Sequence, residues 1–412
     1  MSKKKILFSV ISEKGHINPM IGVAQYLQKD GYELAFFCQN DISETLLNAG
    51  LISKNYFSPS TENYNNNFIT KGKLFVEGIK KKDWLINWIK TLLIDFAPAQ
   101  IELIKSAVED FQPSIIVTDP MIYAAAIVAD EFSIPWVGLS SSLNPVTPPE
   151  WRCDLIDTLE KLHHLRMDLF KNSKINPVFK VSDLISPWLN FVFTTEDYVP
   201  RKFCGNNFSF YLGKSFSSFH RGDETDFPFE KLKPHTKKVY MSLGSQIYYH
   251  PELFLTISEV FLDDNIQLII SINELINTSF INKLPENVIP VFYAPQLQLL
   301  KHVDLAITHG GANSVIESLA HGIPIALFPI CNDQFLQSRF MENAGVGISL
   351  DPSLLCIDSY KKQLLPLLEE NSLIRKKAQK IGKSFENYGG ALEASQLIQQ
   401  LNENQKAILP HL

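Results

Sequence analysis

The stretch from Val291 to Gly347 constrains this chain more than any other. An apolar run from Asp304 to Thr308 leads into His309-Gly310-Gly311, a helical pattern from Asn313 to His321 is stopped by Gly322, and Ile325 to Pro329 is a second apolar run. Strand, glycine turn, helix and strand in that order make one βαβ unit. Glycines let the backbone approach a ligand closely, and the N–H groups and positive dipole end of a helix starting at Asn313 and Ser314 suit a phosphate.

The same grammar begins the chain. Lys5 to Ile11 is a continuous apolar run of the kind buried on both faces of a parallel sheet. Gly15-His16-Ile17-Asn18-Pro19 follows, then a helical pattern through Met20, Val23, Ala24 and Leu27 that ends at Asp30-Gly31, and a second strand from Glu33 to Cys38. Further strands are expected at Ile115 to Thr118, Trp136 to Leu139 and Phe191 to Thr194, with a helix from Ala124 to Asp130. Alternation of this kind predicts an open, doubly wound α/β domain with ligands at the carboxyl ends of its strands. Ser215 to Lys238 is polar and carries Pro228 and Pro234, as interdomain linkers do. Val239 to Leu243 opens a second α/β domain, and helices close the chain, the last from Ala391 to Asn402. The expected division is therefore a domain of residues 1–214, a linker of 215–238, a domain of 239–385 and a C-terminal helix in 386–412 that returns to the first domain.

Residues 56–96 break the regularity. Asn63 to Asn67 reads as a polar loop, and Lys80-Lys81-Lys82 precedes Trp84, Leu85, Trp88, Ile89, Leu92, Leu93 and Phe96 on one helical face. Such a helix either packs on its own domain or lines an apolar pocket or a membrane surface.

Composition removes several classes of function. A net charge of −6 leaves no basic footprint for nucleic acid. The 5 cysteines lack metal or CxxC spacing and read as reduced core thiols of a cytoplasmic protein. Ile6 to Ile11 is too short for a signal peptide, and no run reaches the roughly 20 apolar residues of a membrane span. Neither GxGxxG nor GxxxxGK[ST] occurs, which leaves dinucleotide and P-loop sites without support. There is no Asp-x-Asp and no His/Asp/Glu cluster, so no metal site is expected.

Tyr293-Ala294-Pro295-Gln296, His309 through Ser314 with Glu317, Gly322-Ile323-Pro324, and Asp333-Gln334 stand at fixed offsets within one segment. Together they resemble the donor-binding signature of the nucleotide-sugar-dependent glycosyltransferases of family 1, the UDP-glycosyltransferases. The resemblance implies the GT-B fold, two Rossmann-like domains facing a cleft, with acceptor on the first and donor on the second. It places Tyr293 on the uracil, Ala294 and Gln296 beside base and ribose, and Glu317 on the ribose hydroxyls. His309, Gly311, Asn313 and Ser314, with Ser245 from the neighbouring turn, fall on the diphosphate, and Asp333 and Gln334 fall on the sugar hydroxyls. In the first domain, Gly15-His16-x-x-Pro19 is similar to the motif carrying the family's general base, and Asp119 matches the carboxylate that holds the imidazole tautomer. The position held by Trp in plant relatives is Ala312 here.

Several of these residues admit structural readings. Ser314-x-x-Glu317 has the spacing of a capping box, Asp333 could cap the following helix, and Asp119 before Pro120 resembles an N-cap. Tyr293 could be a core aromatic, and His16 a polar loop residue. The function expected from the resemblance is inverting, metal-independent transfer of a hexose, glucose above all, from a UDP-sugar co-substrate to a hydroxyl of a small, largely apolar acceptor. An epimerase or hydrolase on the same fold and a non-catalytic nucleotide-sugar-binding protein are the alternatives.

Overall fold

The computed structural model describes residues 4–57, 71–204 and 208–410. The polar loop expected at Asn63 to Asn67 lies outside them. Two compact units form: one from residues 1–69, 82–223 and 387–412, the other from residues 70–81 and 224–386.

The first unit is built on a seven-stranded sheet. Its strands are β1 Lys5–Val10, β2 Glu33–Cys38, β3 Ser53–Tyr56, β4 Ile115–Thr118, β5 Trp136–Ser140, β6 Leu189–Val192 and β7 Phe210–Tyr211. They lie side by side in the order β3-β2-β1-β4-β5-β6-β7, every pair parallel. Alternation along β1 explains why both faces are covered. Ile6, Phe8 and Val10 pack with the Lys14–Lys29 and Gly390–Asn404 helices, whereas Leu7 points into the opposite layer with Ala107, Ile116 and Ala124. Period-two side-chain direction thus turns one apolar run into contacts with two helical layers. The final helix belongs to this unit, with Ala391, Ala394, Ile398 and Leu401 in its core.

The second unit repeats the plan with six parallel strands. These are β8 Lys237–Ser242, β9 Ile266–Ser271, β10 Val288–Val291, β11 Leu305–Thr308, β12 Ile325–Leu327 and β13 Gly347–Ser349, in the order β10-β9-β8-β11-β12-β13. Val239 and Met241 face one layer, and Tyr240 faces the other. In each sheet the winding direction reverses once, between β1 and β4 and between β8 and β11. Ligand crevices of open α/β sheets form at such reversals, outside the carboxyl ends of the strands.

Two local readings, of the first helix and of the cysteines, are corrected by the structure, and the packing alternative for the Trp-bearing helix is met. The helix expected from Met20 begins at Lys14, so His16 lies in its first turn and Pro19 inside it. The Trp-bearing face continues as helix Trp84–Lys90 and a π-turn Thr91–Asp95, and it packs Ile89, Leu93 and Ile94 into the core of the first unit, as an ordinary core helix does. Cys356 is exposed and Cys153 half-buried, so the cysteines are not all core thiols.

The polar 215–238 segment is held along its length. Gln25 donates to the His220 carbonyl at 2.6 Å, Asn18 to Asp223 at 3.3 Å, and Arg221 pairs with Asp223 at 2.8 Å with both side chains buried. From Glu224 to Glu386 the chain belongs to the second unit, where Thr225 donates to the Tyr293 carbonyl at 3.0 Å. Its polarity supplies hydrogen-bond partners.

Candidate functional site

In the first unit three strand ends converge. Ser9 of β1 pairs in register with Thr118 of β4, and Thr118 with Gly138 of β5. His16, Asp119 and Ser141 follow these strands and meet. The His16 Nδ1 atom lies 2.5 Å from Asp119 Oδ2 and 2.9 Å from Ser141 Oγ. Asp119 is 1% exposed, and its other oxygen accepts the Met121 N–H at 3.0 Å. It is not a helix cap, because the helix that follows is Tyr123–Glu131 with Ile122 at its N-cap. A carboxylate accepting at Nδ1 keeps the proton there and leaves the Nε2 lone pair as the base.

Ser141 and Asp183 escaped the sequence reading. Asp183 is buried, accepting from Ser140 Oγ at 2.5 Å, Asn144 Nδ2 at 3.0 Å and Ser182 Oγ at 3.2 Å. These bonds fix the turn that carries Ser141 to His16. The only sequence signal was the triple serine at the end of β5. Burial pushes the Asp183 carboxyl up to about 6; the Ser140 hydroxyl opposes the shift and the charge of Asp119 adds to it. A carboxyl whose folded pKa is raised costs stability above that pKa, and the cost fades as pH falls towards the unfolded value. Asp183→Asn removes this titration but turns an amide N–H towards the Ser140, Asn144 and Ser182 donors, so its expected signature is the pH dependence. The stability of the wild type relative to the variant should rise by on the order of 1–3 kcal/mol as the pH falls from 7.5 to 4; chemical denaturation across that range checks it.

In the second unit the expected donor residues follow adjacent strands. Ser242, Ser271, Val291, Thr308 and Leu327 are linked in register, so Ser245, Tyr293, His309 and Asp333 leave one edge of the sheet. The His309 ring is held between two glycines. A Cβ on Gly244 would come 2.7 Å from His309 Cε1, and one on Gly311 would come 2.8 Å from Nε2. Gly244 also has φ +79, a conformation few other residues tolerate. Burial pushes the imidazole down to about 4, partly offset by a hydrogen bond with the Ser242 backbone. At neutral pH His309 thus carries one N–H donor and no charge.

The helix after this turn is Ala312–Ala320 with Gly311 at its N-cap, so Asn313 and Ser314 lie in its first turn, where N–H groups lack intrahelical partners. Ser314 does not head a capping box, since it lies inside the helix and Gly311 is the N-cap. Glu317, 1% exposed, instead accepts from Gln296 Nε2 at 2.6 Å. Ala294 is buried and follows the half-buried Tyr293. Asp333 sits at the N-cap of Gln334–Ala344, yet its carboxylate makes no capping bond. Gln334 is buried, and its amide oxygen accepts from the Ile330 and Cys331 N–H groups at 2.8 and 3.0 Å. Gly310 packs near Gln334, which brings the two glycine-rich and acidic turns together. Among the described residues no group of three or more His, Cys, Asp or Glu side chains forms a metal site, and no helix is long and apolar enough to cross a membrane.

Two doubly wound parallel sheets, one followed by a carboxylate-held histidine and the other by a glycine-flanked helix N-terminus near the buried Glu317, are the architecture of the GT-B fold. The sequence model of the family described as "UDP-glucoronosyl and UDP-glucosyl transferase" matches residues 236–378. An uncharacterized UDP-glucosyltransferase, YojK of Bacillus subtilis, is 25% identical over 93% of this chain and 94% of its own length. The NDP-glycosyltransferase YjiC of Bacillus licheniformis is 27% identical over 97% of this chain and 98% of its own. The crystal structure of the calicheamicin glycosyltransferase CalG4 superposes with a TM-score of 0.77 at 19% identity, covering 98% of this chain and 99% of that one. The chain is thus similar to UDP-glycosyltransferases along nearly its whole length, and the family model matches its second unit. It is an enzyme that uses a sugar nucleotide as co-substrate.

Proposed function

We propose that the protein is an inverting, metal-independent glucosyltransferase that moves glucose from UDP-glucose to a hydroxyl of a small, largely apolar acceptor such as a macrolide, polyketide, flavonoid or carotenoid. The observation that carries this reading is the 2.5 Å pair of His16 and the buried Asp119. The acceptor binds on residues 1–214 and the donor on 239–385. His16 Nε2 takes the acceptor proton as the acceptor oxygen attacks the anomeric carbon and UDP leaves, and Asp119 stabilises the imidazolium that forms. Tyr293 stacks on the base. Glu317 takes the ribose hydroxyls alongside the Gln296 amide it already holds. The first-turn N–H groups at Asn313 and Ser314, with Gly311, Ser245 and the neutral N–H donor of His309, meet the charge that builds on the diphosphate. Asp333 accepts from the sugar hydroxyls. Gln334, whose oxygen is committed to the 330–331 backbone and whose Nε2 donates one hydrogen to Cys331 Sγ at 3.6 Å, offers its second amide hydrogen.

The apolar acceptor is supported by Trp84 and Trp88, stacked with centroids 5.5 Å apart and both half-buried. Metal independence and inversion are tested together. With UDP-α-glucose as donor, turnover is expected to survive EDTA, and the product is expected to carry a β-linkage by NMR. Complete loss of turnover in EDTA, or an α-linked product, contradicts the mechanism.

A further inference from the structure

The first unit carries a second concave site. The loop through Thr147 and Arg152, the helices that follow it and the Phe179–Leu184 hairpin line an open cavity of about 570 Å³, a size that holds organic ligands. Arg166 lines it and is 3% exposed. Its Nε donates to the Tyr123 hydroxyl at 3.0 Å, its Nη2 to the Val181 carbonyl at 2.9 Å, and its guanidinium lies over the Phe179 ring, 3.8 Å from the centroid. All three partners are neutral, for burial keeps the Tyr123 phenol protonated. A guanidinium has five N–H donors, and Arg166 Nη1 has no partner among the described residues. Arginine is rarely buried unless paired with an anion.

The surrounding charges do not supply that anion. Asp183, on the same hairpin, spends its oxygens on Ser140, Asn144 and Ser182. Glu160 lies 3.9 Å from Arg152, and these two lining charges offset each other. Lys180, also lining the cavity, has no ion pair among the described residues. Thr147 and His163 also line it, the His163 ring edge-on to Phe179, and Trp151 and Phe179 give the wall its flat apolar surfaces. Val181, at the hairpin turn, has φ 54, which is strained for a β-branched residue, and its carbonyl is the one Arg166 holds.

We infer that this cavity is an anion site of the first unit, taking the carboxylate of a flat, apolar organic acid. Arg166 reads the carboxylate through its uncommitted N–H groups, Lys180 adds charge at the rim, and Trp151 lies along the apolar body. The acid is either a group on the acceptor or a separate ligand.

The test is calorimetric titration of the full chain, without sugar donor, with 6-hydroxy-2-naphthoic acid and with its neutral amide. Because no donor is present, the result is independent of glycosyl transfer. Saturable binding of the acid at least about tenfold tighter than the amide is expected. Arg166→Met should weaken acid binding about tenfold. Lys180→Met, at a half-buried position where folding is not at risk, should weaken it about threefold. UDP affinity should be unchanged in both variants. Equal binding of acid and amide, no saturable binding of the acid, or undiminished affinity in Lys180→Met overturns the site. Adding UDP-glucose then separates the two sources: sugar on the naphthoate marks the acid as part of the acceptor, and binding without turnover marks a separate ligand.

Discussion

His16→Ala is expected to lower turnover with any accepted acceptor by about 10²–10⁴, the range associated with loss of a general base. UDP affinity should stay within about twofold, because binding of the nucleotide is assigned to the second unit. Asp119→Asn should fall nearly as far. An asparagine in its place can present an N–H to Nδ1, which draws the proton to Nε2 and removes the lone pair that accepts the acceptor proton. Steady-state kinetics with calorimetry of UDP binding separates the two effects. A variant that keeps wild-type turnover shows that the 2.5 Å pair is a structural contact only.

The second large effect is expected at the donor turn. Gly311 has φ −61 at the start of its helix, so alanine there meets no backbone strain. Its Cβ, however, would lie 2.8 Å from His309 Nε2 and 2.9 Å from Cε1, and Gly244 closes off the ring's retreat on the other side. Either the imidazole or the helix N-terminus must shift. Over-packing of this kind costs about 1–3 kcal/mol, which is about 5–150-fold if it falls on the ligand-bound geometry. Gly311→Ala should therefore weaken UDP by about 5–150-fold while far-ultraviolet circular dichroism stays unchanged. Unchanged UDP affinity would remove the His309 turn from the donor site.

Much of this arrangement was legible in the chain. The run KILFSVI reads as a strand buried on both faces because its two sets of alternate residues are equally apolar, and the structure divides them between two helical layers. Placing His16 and Asp119 after strands brought them to one sheet edge, since strand order and register then fix their approach. What sequence could not supply were contacts between side chains far apart in the chain and carrying no pattern. Asp183 meets Ser140 across 43 residues, and nothing local marks an aspartate in a short hairpin as buried. Arg166 looks like a surface residue of a charged helix until Tyr123 and Phe179 are seen to enclose it. Gln334 was legible as one of a polar pair, yet its amide oxygen is consumed by backbone a few residues away, a use that spacing does not distinguish from sugar binding. The small edge strand β7 was missed because its two residues lack any period to read.

The measurement that bears most directly on the account is mass spectrometry of reactions containing UDP-glucose and a panel of hydroxylated aromatic and macrocyclic acceptors, run in parallel with wild type and His16→Ala. The wild type is expected to add a hexose to at least one acceptor, with release of UDP, and the variant to give no conjugate above background. A conjugate formed equally by both proteins contradicts the base assignment. Release of UDP without any conjugate across the panel contradicts transfer itself.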